Sequence, residues 1–547
     1  MPRTGKAAMN GAGRLAETLK SAGVDTVFSL SGNQIMPVFD ACLDAGIRIV
    51  HVRHEAAAVY MADGWAQLTG GIGVALLTAG PGFANGLAPL FSAAQAESPV
   101  LLLSGDSPIV QDGRGAFQEM DQTAITRPLV KHAIRVAGAD DMAADTRDAI
   151  RLALSGRQGP VHVALPFDVL NGDETRATEY SPADFLPEGQ PLSEETAKRN
   201  TDAVAGSERP LALLGPQFTR SRAGEAVSRL ERALGVPVVA MESPRGLRDP
   251  ALGALADILA DTDLVVSLGK RLDFTLGFAG GKALAPDARL VVVDPDPAVL
   301  DHATKAAGNR LVLGEVADIA GAIAAIADQA SPFGHKDWRT DVSAALSLRP
   351  PGQALPEAIH PRALCDAVNS FLAASPAPVL VCDGGEFGQW AQAFCSAPRR
   401  IINGPSGAIG GGIGYALAAK LAQPGATVAA LMGDGTAGFH FAEFETAARE
   451  GAPFIAVIGN DDRWNAEHQI QLRDYGPDRL TGCGLSPGLR YDQAAAALGA
   501  HGEDVTDIAE LEPALRRAAA SGKPACVNVA IEGLAAPTVT RGATGGH

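Results

Sequence analysis

The chain has 547 residues, 46% of them hydrophobic and 20% charged, with a formal net charge of −17. That length supplies three or four domains with cores of their own, and the acidity argues against nucleic acid or an anionic membrane as a general partner. Six scattered cysteines without CxxC spacing favour reduced thiols; no run approaches the ~18 apolar residues of a membrane span and residues 1–13 lack an apolar signal core, so a soluble cytoplasmic protein is expected.

Two polar, proline-bearing stretches, 172–200 and 331–357 (the latter with Arg349-Pro350-Pro351-Gly352), read as linkers and divide the chain into three. In the first segment, short apolar strands at 26–30, 49–52, 74–77, 100–103 and 161–165 alternate with helical stretches, the rhythm of a parallel α/β sheet. The turn after the first strand reads Ser31-Gly32-Asn33-Gln34, whose polar side chains either orient a ligand or serve ordinary turn chemistry. The stretch 47–52 runs into Arg53-His54-Glu55 and an alanine-rich helix; taken alone, Glu55 is a first-turn acid facing the helix dipole. After 74–77 comes the turn Gly80-Pro81-Gly82-Phe83-Ala84-Asn85-Gly86, and further on Ala116-Phe117-Gln118-Glu119-Met120-Asp121, with Lys131 near the end of the same block.

The second segment has strands at 211–214, 238–240, 264–268 and 290–293, the last running into Asp294-Pro295-Asp296, a doubly wound nucleotide-domain pattern without a GxGxxG turn. A ligand-holding domain and a domain kept for packing and assembly fit it equally well. The third segment repeats the rhythm of the first at 379–382, 428–432, 454–458 and 526–530, so the two ends read as divergent copies of one architecture. The run Ser406-Gly407-Ala408-Ile409-Gly410-Gly411-Gly412-Ile413-Gly414 fits neither the dinucleotide turn nor the GxxxxGK phosphate loop. Gly433-Asp434-Gly435-Thr436 follows the strand 428–432, and a tight glycine turn there presents the Asp434 carboxylate at the sheet's carboxyl edge, where open α/β sheets bind ligands. Residues 439–450 read as a helix with Phe441, Phe444, Ala447 and Ala448 on one face, which brings the next turn, Asn460-Asp461, beside the first. Alone, the tripeptide is an Asp-Gly turn. With its companion it points to a metal-diphosphate site, because a small hard cation such as magnesium takes one or two protein carboxylates and fills its shell with phosphate and water.

GDG followed after 24 residues by N resembles the signature of thiamine-diphosphate-dependent enzymes. Carried over residue by residue, the resemblance implies Asp434, Asp461 and the backbone carbonyl of Arg463 as ligands of Mg2+. Asp461 stands where most relatives carry asparagine, and a carboxylate is an equally acceptable oxygen ligand. Gly433, Gly435 and Thr436 would frame the diphosphate turn, with Trp464 just beyond the second. Glu55 is implied as the acid that hydrogen-bonds the cofactor's aminopyrimidine and so promotes loss of the thiazolium proton. Gly80, Pro81 and Asn85 would lie at the pyrimidine end. Phe117 and Gln118 belong to a segment similar to the AFQE.D stretch of acetolactate synthases, whose phenylalanine and glutamine approach the reacting centre. Gly407 and Ile409 match the stretch that bends the cofactor, with Ile409 as the wedge that enforces proximity.

The resemblance covers essentially the whole chain. It implies three doubly wound parallel-sheet α/β domains: pyrimidine-binding (1–175), central (200–330) and diphosphate-binding (358–535). The cofactor would lie between the first domain of one subunit and the third of another, hence a homodimer or, by analogy, a homotetramer. Its activity would be acetolactate-synthase-like, cleaving or joining carbon–carbon bonds of a 2-oxo acid, 2-hydroxy ketone or aldehyde. A 2-hydroxyacyl-CoA lyase acting on a CoA thioester, or a simple 2-oxo acid decarboxylase, is the second option. The strand end Gly269-Lys270-Arg271-Leu272-Asp273-Phe274 resembles the lyases, whereas the short closing segment lacks the lid their bacterial CoA-using members carry. Histidines that benzaldehyde-lyase-like enzymes place near the first turn are replaced here by Ser31 and Gln34. Residues 246–263 are shorter than in flavin-binding relatives, which argues against FAD. Glu386, Gln389, Trp464 and His468 follow strand ends of the third domain and are further candidates to face the pocket. Glu55, Ile409 and Asp434 together speak against a non-catalytic binding subunit.

Overall fold

The computed structural model describes residues 9–176, 178–219, 222, 224–281, 283–329, 334–349 and 358–541. Met1, Ser331, Pro350, Pro351, Gly352, Glu357 and His547, which entered the reading of the ends and of the second polar stretch, lie outside them.

Three parallel sheets follow one another along the chain. The first holds β1 (Thr26–Ser29), β2 (Arg48–His51), β3 (Gly73–Leu77), β4 (Val100–Asp106), β5 (Ala133–Arg135) and β6 (Val161–Pro166) in the order β2-β1-β3-β4-β6-β5. The second holds β7 (Pro210–Leu214), β8 (Val238–Ala240), β9 (Leu264–Leu268), β10 (Arg289–Asp294) and β11 (Leu311–Val316) in the order β11-β10-β9-β7-β8. The third holds β12 (Val379–Cys382), β13 (Arg399–Ile402), β14 (Val428–Gly433), β15 (Ile455–Asn460), β16 (His501–Val505) and β17 (Ala525–Ala530) in the order β13-β12-β14-β15-β17-β16. The third sheet repeats the first strand for strand, β12 to β17 taking the places of β1 to β6, so the expectation of two copies of one architecture holds. Inner strands such as β4 and β15 are buried along their whole length. Helices cover both their faces, which is why they read as unbroken apolar runs.

The two copies are joined by equivalent helices. After β2 comes α1 (Glu55–Thr69), and after β13 comes α2 (Gly412–Ala422). His54 caps α1, its Nδ1 accepting the Ala56 N–H at 3.1 Å, and Gly70 ends it in the left-handed conformation (φ +72°). Close approach is possible because both helices carry small residues at the contact. A Cβ at Gly64 would stand 2.9 Å from Tyr415 Cδ1, and one at Gly414 would stand 3.2 Å from the Cβ of Tyr60. At the centre the Tyr415 hydroxyl donates to Asp63 at 2.7 Å, and Gln67 Nε2 donates to its other oxygen at 2.9 Å. Asp63 is fully buried, and burial raises its pKa. Around this pair one apolar cluster runs unbroken from Val50 and Leu77 through Ala58, Ile413 and Leu417 to Val428, Phe444 and Phe454.

Several local expectations shift. The helix read at 439–450 is shorter, Glu443–Arg449, because residues 438–442 turn before it. The polar stretch 331–357 includes the helix Lys336–Ser347, whose Trp338, Val342 and Ala345 are buried in the central core, with Trp338 Nε1 donating to Pro210 O at 2.8 Å. The stretch 172–200 runs into the helix Glu194–Ala205, also packed on that domain. All six cysteines are buried and unpaired in disulfides. Among the described residues no helix is long and apolar enough to cross a membrane.

The Asp63–Tyr415 bond yields a direct stability test. Tyr415→Phe leaves a buried carboxyl oxygen without its donor and is expected to cost about 1–3 kcal/mol, read as a lower thermal midpoint, whereas an unchanged midpoint would show that the bond carries no net weight.

Candidate active site

Functional side chains gather at the carboxyl edges of the first and third sheets, around the points where strand order reverses, between β1 and β3 and between β12 and β14. In the first domain Glu55 opens α1. Its Oε2 accepts from Asn85 Nδ2 at 2.9 Å, and Oε1 lies 3.3 Å from where a Cβ at position 82 would stand, so Gly82 keeps that side clear. Gly80, at φ +59°, precedes the short helix Pro81–Asn85, whose first residue is preset by its proline ring. Gln118 packs across this turn: a Cβ on Gly80 would stand 2.9 Å from its own Cβ. Glu119 holds the loop by accepting the N–H groups of Gly115 and Ala116 at 2.9 and 3.0 Å, while Phe117 is left 73% exposed.

Two residues of the first turn behave differently from one another. Ser31 pairs with His51, its hydroxyl 3.1 Å and its N–H 3.3 Å from Nε2, and burial lowers the pKa of that histidine. Gln34 turns inward, its amide engaged at both ends by Thr78 and Gln118. Lys131 stands apart from the site: it caps the helix Met142–Leu154 by donating to the Ser155 carbonyl at 2.6 Å.

In the third domain Asp434, 2% exposed, begins a short turn of helix, Asp434–Ala437, and accepts the N–H groups of Gly435 at 2.8 Å and Arg463 at 3.2 Å. Asp461 is buried opposite it. Asp462, between Asp461 and Arg463, adopts a left-handed backbone (φ +58°) fixed by its acceptance of the Gly488 N–H at 3.0 Å. That turn leaves the Arg463 carbonyl with no hydrogen-bond partner among the described residues. Burial pushes the Asp434 carboxyl up to about 6; burial and then the charge of Asp434 push Asp461 up to about 7. Two buried carboxyls, one of them near the Arg463 guanidinium, beside the Arg463 carbonyl are a donor set that fits a hard divalent cation. Among the described residues no cluster of three or more His, Cys, Asp or Glu is arranged for a metal.

Gly435 lies against the Trp464 ring, where a Cβ would stand 2.8 Å from Cε3, and Thr436 donates to the Gly384 carbonyl at 3.1 Å. The half-buried Ile409 is braced from behind, since a Cβ on Gly384 would stand 2.2 Å from its Cγ2. Gly407, left-handed at φ +67°, and the rest of the glycine run are organised by Asp383, which was not foreseen from the sequence. Fully buried, it accepts the N–H groups of Gly410 at 3.0 Å and Gly412 at 2.6 Å and the Asn403 amide at 3.2 Å. His440, likewise unforeseen, is held 2.7 Å from the Gly410 carbonyl through Nδ1. Glu386 is consumed between domains, bonding Arg245 and the Ala536 N–H, whereas Gln389 Oε1 is buried without a hydrogen-bond partner among the described residues. The hydrogen bond of the Glu55 carboxyl lies within the first domain and those of Asp434 within the third.

Family models match in the same three pieces. They are the N-terminal TPP binding domain of thiamine pyrophosphate enzymes at residues 9–125, their central domain at 198–323 and their C-terminal TPP binding domain at 383–529. A probable acetolactate synthase of Mycobacterium bovis is 32% identical over 95% of both chains. The 2-hydroxyacyl-CoA lyase 2 of Bos taurus is 31% identical over 95% of this chain and 90% of its own, and that of Homo sapiens 30% over the same shares. With the three domains present in order and such relatives aligned along nearly its whole length, the chain belongs to the thiamine pyrophosphate enzymes.

Proposed function

We propose that the protein is a thiamine-diphosphate- and Mg2+-dependent enzyme of the acetolactate-synthase type. It makes or breaks a carbon–carbon bond of a 2-oxo acid or 2-hydroxy ketone and works as at least a homodimer. The observation that carries this reading is the complementarity of the half-sites: a carboxyl group on a glycine-lined edge in one domain, a diacid cradle beside an apolar wedge in the other. Exposed aromatic rings, Phe117 at 73% next to Gln118 and Phe439 at 52% against Gly410, support closure by a second copy.

When bound, thiamine diphosphate supplies a nucleophilic carbon and a sink for the electron pair of the broken bond. Asp434, Asp461 and the Arg463 carbonyl would hold the cation. Ile409, braced by Gly384, would bear on the cofactor. Glu55 would hold and return a proton at Oε1, the oxygen that Asn85 leaves free, while Asn85 fixes the carboxyl plane. Phe117 would exclude water from the reacting centre.

Flavin has no part in this reading. At the carboxyl edge of the central sheet, Arg157 from the first domain is already spent on Asp294, Glu97 and the Gly269 carbonyl. Of the cavities adjoining it, the one lined by Pro216, Ser243, Lys270 and Thr275 measures about 20 Å³, room for one water, whereas the one lined by Arg157, Arg271 and Asp296 measures about 440 Å³. A second reading, a 2-hydroxyacyl-CoA lyase, draws support from the relatives of that name aligned along 95% of the chain.

Glu55→Gln is expected to lower turnover by about 10²–10⁴-fold while thiamine diphosphate affinity, followed by tryptophan fluorescence, stays near wild type; full turnover would remove Glu55 from its role. In Gly384→Ala the new methyl group displaces Ile409, and a loss on the order of 10²-fold is expected, with circular dichroism unchanged. Mass spectrometry of products from pyruvate, thiamine diphosphate and Mg2+ should find acetolactate or another 2-hydroxy ketone. Product formed only from an added 2-hydroxyacyl-CoA would transfer the assignment to the second reading.

A further inference from the structure

We propose that Thr78 and Gln34 are positioning residues that fix Gln118 as a hydrogen-bond donor toward the substrate, so that the site selects an acceptor oxygen there, a carboxylate or carbonyl of the 2-oxo acid. The proposal rests on the reading that Gln118 faces the reacting centre.

Gln118 has φ +61°, a conformation that L residues other than glycine rarely adopt and that persists only where the surroundings over-determine it. Here the surroundings are built for it. Gln118 Oε1 accepts from Gln34 Nε2 at 2.9 Å, and Gln34 Oε1 accepts from the Thr78 hydroxyl at 2.9 Å. Three glycines make room for the row. A Cβ at Gly80 would stand 2.9 Å from Gln118 Cβ, one at Gly105 would stand 2.8 Å from Gln34 Cβ, and one at Gly32 would stand 2.3 Å from Thr78 Oγ1. Gln34 is 5% exposed, so water does not substitute for either partner.

The row has a direction. Thr78 Oγ1 has no other hydrogen-bond partner among the described residues, so its proton goes to Gln34 Oε1. Reversing the row would make Thr78 an acceptor and leave that proton without a partner among the described residues. With Gln34 donating onward, Gln118 must turn its carbonyl inward and its amide nitrogen outward. Gln118 Nε2 has no partner among the described residues and is free to donate. Thr78 and Gln34 are each one residue from a glycine-framed turn and need not touch the substrate. They act through Gln118.

Neutron diffraction on deuterated crystals of the wild-type protein and of Gln34→Glu tests the row without any substrate. Deuterons should lie on the Gln118 amide atom turned away from Gln34. In Gln34→Glu the new carboxylate accepts from both neighbours, so the Gln118 amide should be turned round. A wild-type Gln118 with its carbonyl outward, or an amide that keeps its orientation in the variant, would overturn the proposal. With pyruvate as substrate, Thr78→Val should raise KM about tenfold at nearly constant kcat, whereas Thr78→Ser, which keeps the donor, should match wild type. Equal losses in both would reduce Thr78 to packing. A protein that leaves pyruvate untouched would count against the acetolactate-synthase reading and not against the row, which the neutron experiment decides alone.

Discussion

The contact of α1 with α2 joins the two sheets whose carboxyl edges carry the candidate site residues. Each helix follows the second strand of its sheet, so each begins at a carboxyl edge, and fixing one against the other fixes both edges at once. Small residues bring the backbones close, and the buried Asp63–Tyr415 bond sets their register, since a carboxyl group stripped of water tolerates no slip that loses its donor. Residues of the turn and helix before β15 reach the same edges. Glu443, 1% exposed, accepts the N–H groups of Arg53 and His54 at 2.9 and 3.1 Å, directly ahead of Glu55. Through Nδ1, His440 grips the carbonyl of Gly410, directly after Ile409.

Because the two sheets share a topology, their half-sites are drawn from the same four strand ends, furnished with opposite chemistry. After β1 comes Gln34 and after β12 Gly384; after β2 comes Glu55 and after β13 Ile409. After β3 comes Gly80 and after β14 Asp434; after β4 comes Gln118 and after β15 the turn from Asp461 to Arg463. The first set offers hydrogen-bonding and proton-holding groups. The second offers the buried carboxyl groups of Asp434 and Asp461 and the apolar side chain of Ile409. An edge of this kind needs only its turns changed to alter what it binds, while the strands behind it go on satisfying the sheet.

That division also explains what the amino-acid sequence disclosed. Inner strands are covered on both faces and announce themselves as apolar runs. The strands absent from the reading were β5, β11, β13 and β16, all at sheet edges, where Ala133-Ile134-Arg135 or His501-Gly502-Glu503-Asp504-Val505 mixes polar with apolar residues. The turns carrying Asp434 and Glu55 were legible because their glycines and acids are local. Asp383 was not, since its partners are backbone N–H groups 27 and 29 residues further on, and no spacing rule encodes a carboxylate that serves a distant loop. Gln34 shows the same limit in reverse: its chemistry suggested a ligand, whereas its position under Gln118 turns it inward.

The central domain carries the comparison one step further. Its carboxyl edge, where a doubly wound sheet would hold a nucleotide, is occupied by an arginine from another domain. Arg157 is buried, as are its partners Asp294 and Glu97, and Arg222 adds bonds to the carbonyls of Ala96 and Glu97. Buried ion pairs add little net stability, because the cost of desolvation offsets the attraction, but they penalise every geometry in which a charge loses its partner. A network of this kind is therefore better suited to holding an angle between domains than to strengthening either one. In this chain the edge of the central sheet is tied through Arg157 and Arg222 to the first domain, the domain that carries Gln118 and Glu55.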